Sequence, residues 1–170
     1  MIERRSWQTA FIKQARNDWA AYQRTLHPSW SVCDRLHYLQ MATEKLGKAL
    51  LVGGKTDLER LMGSHAAFVK FLRVVANNYN LSVKLGMTKS QLKTYFTQFL
   101  PIAHEIEILA PALAQGGPNP EYPWVDKSGQ ICVPADYLFP LTKLLQSPSG
   151  LHLVKYIRLF IAEFENLFLN

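Results

Sequence analysis

Apolar residues recur every three or four positions along most of the chain, a period that predicts amphipathic helices rather than strands. The first run predicts a helix that begins with Ser6 as its N-cap and ends at Thr25, because Pro28 follows. The positions expected to face the core are Trp7, Phe11, Ala15, Trp19, Tyr22 and Leu26. Asp18 falls within the same arc, so its carboxylate needs a cation or a donor from a neighbouring helix.

A second run predicts a helix over residues 32–52. Ser31 and Asp34 stand at the spacing of a capping box at its start. The apolar stripe of this helix is Val32, Leu36, Leu39, Thr43, Leu46 and Leu50. Glu44 and Lys48 are one turn apart, which predicts an ion pair on the outer face.

Two further runs predict helices in the middle of the chain. The third helix is expected to open at Ser64 and to reach about Asn77, and the fourth to open at Thr88. Pro101 either kinks the fourth helix or starts a new one. The residues expected to face the core are Phe68, Phe71, Leu72, Val75, Leu92, Tyr95, Phe96, Phe99, Ile102, Ile106 and Leu109.

Prolines and glycines interrupt the helical pattern over residues 115–134, which predicts a long loop or a small hairpin. A short helix should follow from Pro134 to about residue 145, and a break over 147–150 should precede the last helix, over 151–168. The last helix carries a broad apolar stripe at Val154, Ile157, Phe160, Ile161, Phe164, Leu167 and Phe168. A stripe this wide predicts burial on two sides or a second face for a partner subunit.

These elements predict one all-α domain over residues 1–170, an antiparallel bundle of five or six helices with one irregular segment near 115–134. Charged residues interrupt every window near the N-terminus in which the apolar core of a signal peptide could lie. No apolar run reaches the roughly 18 residues of a membrane helix. We therefore expect a soluble, cytoplasmic protein with no membrane partner and with both cysteines reduced.

Composition and charge narrow the functional classes. Hydrophobic residues make up 48% of the chain and charged residues 19%, which excludes intrinsic disorder. The net charge of +6 is uneven, because residues 61–100 hold five basic residues and no acidic one. These five residues are Lys70, Arg73, Lys84, Lys89 and Lys93. Such a stretch predicts attraction for a phosphate-bearing ligand, unless acidic residues from elsewhere in the fold neutralise it.

The motifs of common catalytic sites are incomplete in this sequence. It contains neither a full phosphate-binding glycine loop nor the second histidine of a zincin motif. Its five histidines show no metal-ligand spacing with Cys33 or Cys132, so we expect no metal and no cofactor. Each cysteine is expected to be a small buried apolar group.

Several segments resemble the HEPN domain family. Residues 40–51 follow the pattern QxAxEKxxKALL of that family's second helix. The AxxDxxA of residues 15–21, the Ser-His of 64–65 and the Tyr-Pro of 122–123 resemble family segments in the same order. The resemblance spans most of residues 7–125, and the second helix is its most specific part.

The resemblance implies a helical homodimer that binds or acts on RNA or nucleotides, often in toxin–antitoxin or defence systems beside a nucleotidyltransferase-like partner. Active family members are metal-independent ribonucleases with an Arg-x4–6-His motif near the last main helix. Arg60 and His65 have this spacing here, but they lie early in the chain. They are candidates for a phosphate-binding cation and a general acid or base. The alternative is that Arg60 is solvated and His65 is structural.

Three functions remain open at this point. The favoured one is a non-catalytic HEPN-like module that dimerises through the last helix and binds RNA, a nucleotide or an acidic partner protein through the basic stretch. The second is a ribonuclease that uses Arg60 and His65, or another arginine–histidine pair built across the dimer. The third is an interaction subunit for a nucleotidyltransferase-like or other protein, with Tyr122 and Trp124 as loop contacts, unless these aromatic residues pack onto the bundle.

Overall fold

The structure is a computed structural model that describes residues 3–53 and 57–169, and helices dominate it. The described helices are α1 (Arg4–Arg24), α2 (Val32–Leu51), α3 (Leu58–Met62), α4 (Phe68–Val75), α5 (Tyr79–Leu85), α6 (Lys89–Thr97), α7 (Leu100–Glu107), α8 (Pro111–Ala114), α9 (Leu141–Gln146), α10 (Pro148–Ala162) and α11 (Phe164–Phe168). Two short strands, β1 (Trp124–Val125) and β2 (Ile131–Cys132), form one antiparallel hairpin. The described part of the chain is therefore all-α apart from this hairpin, as predicted.

The two longest helices, α1 and α2, form an antiparallel pair. The Arg4 guanidinium at the start of α1 donates to the carbonyl of Val52 at 3.0 Å, beyond the end of α2. At the opposite end, Arg35 of α2 donates to the carbonyl of Thr25. Helix α2 also packs against α4, α7 and α10, so it lies at the centre of the fold.

The capping box predicted for α2 is present. The Asp34 backbone N–H donates to the Ser31 hydroxyl at 3.1 Å, and the Ser31 backbone N–H donates to the Asp34 carboxylate. The start predicted for α1 is wrong, because α1 begins at Arg4 and Ser6 lies inside it. Helix α1 ends at Arg24, so Leu26 lies outside it and is exposed.

The aromatic and aliphatic positions predicted for the middle helices form the core. Those that are completely buried are Phe68, Phe71, Leu72, Val75, Leu92, Phe96, Phe99 and Ile106. Pro101 lies at the start of α7, so the second of its two predicted roles is the observed one. The N-cap predicted at Thr88 is also present, with Gln91 as its reciprocal partner.

The described ranges contain more helices than the five or six predicted, because α3 and α5 lie between the predicted helices and the last predicted helix is divided at Glu163. Helix α3 lies before the predicted third helix, and that helix is shortened to α4, which begins at Phe68 rather than at Ser64. The sequence pattern does not predict helix α5. The Asn78 side chain caps this helix by accepting from the Leu81 backbone N–H at 2.7 Å. The sequence pattern indicates a helix end at this asparagine, whereas in the fold it also begins the next helix.

The C-terminal segment also differs from the prediction. Residues 134–136 form a 3₁₀ turn, and α9 begins only at Leu141. Ser147 caps α10 through the Gly150 backbone N–H at 3.2 Å, so the predicted break is the start of a helix. Glu163 separates α10 from α11.

The broad stripe of the last predicted helix is covered by the chain itself. Its buried members are Ile157, Phe160, Ile161, Phe164 and Leu167. Contacts with α1, α2, α9 and α11 surround α10. Of the two explanations given for the stripe, burial on two sides is the one observed within the chain.

The segment over 115–134 contains the predicted hairpin. Trp124 pairs with Cys132 and Val125 with Ile131. The turn is held by Asp126, whose Oδ1 accepts from the backbone N–H groups of Ser128 at 2.8 Å and Gln130 at 3.0 Å. None of the helices in the described ranges has the length and hydropathy needed to cross a bilayer.

Candidate functional site

A cluster of polar side chains is buried where α2 meets the α3–α4 connection, and Glu44 is its centre. Lys48 Nζ donates to Glu44 Oε1 at 2.8 Å, and Gln40 Nε2 donates to Glu44 Oε2 at 2.9 Å. His65 Nδ1 lies 3.0 Å from the same Oε2. Lys48 also donates to the backbone carbonyl of Met62 at 2.9 Å. We call Gln40, Glu44, Lys48 and His65 the Glu44 cluster.

The sequence pattern places Glu44 and Lys48 on the outer face of α2, and this prediction is wrong. The two residues are 4% and 5% exposed, because α3 and the start of α4 cover that side of α2. The local pattern contains the ion pair but cannot show which helix lies over it. A buried ion pair persists only when further hydrogen bonds satisfy both charges, as Gln40, His65 and the Met62 carbonyl do here.

The surroundings of Glu44 keep its carboxylate ionised. Burial raises the pKa of this group, but the Lys48 hydrogen bond, the nearby Lys45 charge and the hydrogen bonds from His65 and Gln40 outweigh that effect. The net result is a pKa lowered from 4.5 to about 2. Glu44 therefore carries a full negative charge at neutral pH, and the Lys48 ammonium balances it.

Arg60 and His65, the candidate catalytic pair, have different surroundings. Arg60 lies on α3 with its side chain exposed, whereas the His65 ring contacts buried Glu44 and remains 39% exposed. Across the described residues, no hydrogen bond or ring contact joins the two side chains. His65 also precedes α4 rather than lying inside a helix start.

Two of the five predicted binding residues converge on one surface. Arg73 of α4 and Lys93 of α6 line the same small cavity, of about 120 Å³, with Asn77 between α4 and α5 on its wall. Lys89 lies one turn before Lys93 on α6 and Lys70 nearly one turn before Arg73 on α4, and both are exposed. We call Lys70, Arg73, Lys89 and Lys93 the basic face.

Lys84, the fifth predicted residue, belongs to a different environment. Its Nζ lies 3.3 Å from Glu163 Oε2, at the junction of α10 and α11. An acidic residue from elsewhere in the fold thus compensates Lys84, which is one of the two alternatives that the sequence leaves open. No ion pair in the described ranges involves the four residues of the basic face.

The two aromatic residues predicted as loop contacts differ in exposure. Tyr122 is 60% exposed, while Trp124 is 7% exposed. The Trp124 ring packs edge-on against Tyr137 at a centroid distance of 4.9 Å and lies near Phe139. Trp124 is therefore a core residue of the loop and not an exposed contact, because its inward-facing strand position buries it against residues 137–139.

The loop that presents Tyr122 is ordered by Asn119. Asn119 is buried, and its Oδ1 accepts from the backbone N–H groups of Glu121 at 3.1 Å and Tyr122 at 2.8 Å. His37 Nδ1 lies 3.5 Å from Glu121 Oε1, a distance of an ion pair rather than of an aligned hydrogen bond. This arrangement fixes the backbone from which Tyr122 projects.

The cysteines are half-buried rather than fully buried, and both pack against the core. Cys33 Sγ lies 2.9 Å from the Ser31 hydroxyl, beside the cap of α2. In the described ranges, no three histidine, cysteine or carboxylate side chains are grouped so as to hold a metal ion.

Comparison with known proteins adds no relative: no family model, no curated protein and no solved structure matches this chain.

Proposed function

We propose that this protein is a non-catalytic HEPN-like module that binds a phosphate-bearing ligand, RNA or a nucleotide, on the basic face. The observation that carries the proposal is the convergence of Arg73 and Lys93 on one cavity while no described ion pair involves either of them. Two helices separate in sequence are needed to bring these charges together. Arg73 and Lys93 therefore come together only when the chain folds.

The chemistry of the two side chains suits a phosphate group. A guanidinium offers paired N–H donors that match two phosphate oxygens, and an ammonium adds a compact charge. Lys70 and Lys89 extend the positive surface by one helical turn along α4 and α6. A phosphodiester chain or a polyphosphate could thus contact more than one residue of the basic face, and contacts of this kind supply most sequence-independent affinity for nucleic acids.

Titration with two labelled ligands tests this proposal. Fluorescence anisotropy would be measured with a single-stranded RNA oligonucleotide and, separately, with a labelled ATP analogue, across a range of salt concentrations. The variant Arg73→Gln/Lys93→Gln should lower affinity at least about tenfold. It should also reduce the salt slope for RNA by about 1.4, because each phosphate that a basic side chain neutralises on a single strand contributes roughly 0.7 to that slope.

A matched double variant removes the same charge from another face. Lys127 and Lys143 are exposed on the hairpin turn and on α9, so Lys127→Gln/Lys143→Gln controls for net charge. Equal losses in both double variants would mean that the basic face has no special role. Absence of binding to both ligands at low salt would overturn the proposal.

A second candidate function is RNA cleavage, and the Glu44–His65 contact favours it. A carboxylate that contacts one ring nitrogen orients a histidine for acid or base chemistry, and the His65 ring remains partly exposed. Arg60 would have to supply the cation from α3. Cleavage of RNA by the parent protein in the presence of a chelator, abolished in both His65→Ala and Arg60→Ala, would replace the non-catalytic proposal.

The homodimer, the nucleotidyltransferase-like partner and the toxin–antitoxin setting belong to the same proposal and rest on the family resemblance. Exposed Tyr122 is the contact that we propose for a partner protein. Sedimentation velocity tests the dimer, and co-purification from the native host, with Tyr122→Ala compared with Tyr79→Ala, tests the partner. Tyr79 is the matched control, because it is 76% exposed on α5.

A further inference from the structure

A second, larger cavity lies away from Arg73 and Lys93, between α7, α8 and the segment that follows the hairpin. Its volume is about 560 Å³, which is within the usual range of small-molecule sites. Most of its lining is apolar and includes Leu109, Leu113, Tyr137 and Phe139. The proposed phosphate-binding function uses none of these residues.

The polar residues that line this cavity include two glutamates, beside a histidine, a glutamine and a tyrosine. Glu105 and Glu107 line it together with His104, and neither lysine nor arginine does. Glu107 is only 6% exposed, and its Oε1 accepts from the Val69 backbone N–H at 2.8 Å at the start of α4.

The charge of Glu107 is incompletely compensated within the chain. Burial raises the pKa of its carboxyl group and outweighs the hydrogen bonds from the backbone of Val69 and Phe68 and the charges of His104 and Lys70. Among the described residues, Glu107 forms no ion pair within 4 Å. A buried carboxylate in this situation gains stability from any cation that reaches it.

We propose that this cavity binds a small organic cation, an amine carried on an aromatic or aliphatic body. The ammonium group would meet the Glu107 carboxylate, and Glu105 would add a second negative charge. The body of the ligand would fill the apolar part, whose lining includes the aromatic residues Tyr137 and Phe139. An anion of the same shape would meet two carboxylates and should be excluded.

Isothermal titration calorimetry with three ligands of one shape tests the assignment: phenethylamine, phenethyl alcohol and 3-phenylpropanoate. The amine should bind the parent protein at least about tenfold more tightly than the alcohol, and the carboxylate should not bind. Glu107→Gln keeps an oxygen acceptor for Val69 but removes the charge. This variant should lose at least about tenfold in amine affinity and keep the alcohol affinity within about twofold.

Two other variants make the result decisive. Glu59→Gln removes an acidic residue from exposed α3 and should leave all three affinities unchanged. Glu105→Gln should weaken amine binding less than Glu107→Gln does, and it serves as the test if Glu107→Gln fails to fold. Amine binding that survives both cavity variants, carboxylate binding as tight as amine binding, or no heat from any ligand at about 10 mM would overturn the proposal. RNA and nucleotides are absent from this experiment, so its outcome is independent of the basic face.

Discussion

Glu44 shows how one residue connects three segments of this chain. Its two oxygens accept from Gln40 and Lys48 on its own helix and contact His65 ahead of α4, while Lys48 reaches the Met62 carbonyl at the end of α3. The cluster thus ties α2 to the α3–α4 connection by charge-assisted hydrogen bonds, which are stronger than neutral ones. In a low-dielectric site, the hydrogen bonds of such a network strengthen one another, so the loss of one partner weakens those that remain.

Removal of the Glu44 charge should destabilise the protein strongly. Glu44→Gln leaves the buried Lys48 ammonium without its counter-charge, at an expected cost of about 3–5 kcal/mol in the free energy of unfolding. The double variant Glu44→Gln/Lys48→Met should be more stable than the single one, because it leaves no charge buried without a partner. Urea denaturation measures both variants, and a decrease below about 1 kcal/mol in Glu44→Gln would contradict the role given to the cluster.

The same residue predicts acid sensitivity. A carboxyl group whose pKa falls from 4.5 to about 2 on folding stabilises the protein above pH 4.5. This contribution disappears as the pH falls from about 4.5 towards 2, because the unfolded chain then binds a proton that the folded chain does not. The free energy of unfolding should therefore fall more steeply with acid in the parent protein than in Glu44→Gln. Equal slopes in the two proteins would show that another carboxylate is responsible.

At the scale of elements, the close approach of α2 to the start of α4 sets the position of the Glu44 cluster. A Cβ atom at Gly47 would lie 2.6 Å from the carbonyl oxygen of Ala67, which is backbone and cannot move aside as a flexible side chain would. Glycine at this point of α2 lets the two segments touch. The contact brings His65 within reach of Glu44.

Gly47→Ala should therefore destabilise the protein, although alanine favours helices. Overpacking against backbone costs about 1–3 kcal/mol, which exceeds the helix-propensity gain of about 1 kcal/mol. Gly63→Ala is the matched control, because its added Cβ would find its nearest neighbour at 3.8 Å and its φ is −78°. Thermal unfolding compares the two variants, and an unchanged or higher melting temperature in Gly47→Ala would refute this account of the α2–α4 contact.

At the scale of the whole molecule, one continuous core runs through α1, α2, α4, α6, α7 and α10. Phe160 lies at its centre, with ring contacts to Phe71 at 5.4 Å, to Phe96 at 5.8 Å and to Tyr156 at 5.9 Å. This core holds α4 and α6 at a fixed separation, and the position of Arg73 and Lys93 at one cavity depends on that separation.

Phe160→Ala should cost about 3–5 kcal/mol, because it opens a cavity that the aromatic rings around it cannot fill. Leu151→Ala, on the exposed side of the same helix at 58% exposure, should change stability by about 0.5 kcal/mol or less. Guanidinium denaturation of both variants tests whether the broad stripe of α10 faces inward. Similar decreases in stability in the two variants would mean that the outer side of α10 is also covered.

The pattern of the sequence by itself determined the features that depend on neighbours along the chain. The all-α class and the capping boxes at Ser31 and Thr88 follow from periodicity and from side chains that bond to backbone three residues away. The starts of α5 and α10 do not follow from the pattern, because Asn78 and Ser147 have the character of helix ends and also begin helices.

Only the tertiary structure decided which polar side chains are covered and which charges meet. Glu44 and Lys48 form the same i,i+4 pair on an exposed or a buried helix face, and the packing of α3 and α4 makes it buried. The strand position of Trp124 faces the interior only because residues 137–139 pack against that side of the strand. Arg73 and Lys93 are 20 positions apart in the chain, and Lys84 is between them, yet Lys84 pairs with Glu163. Such encounters depend on the relative placement of helices, which local periodicity does not contain.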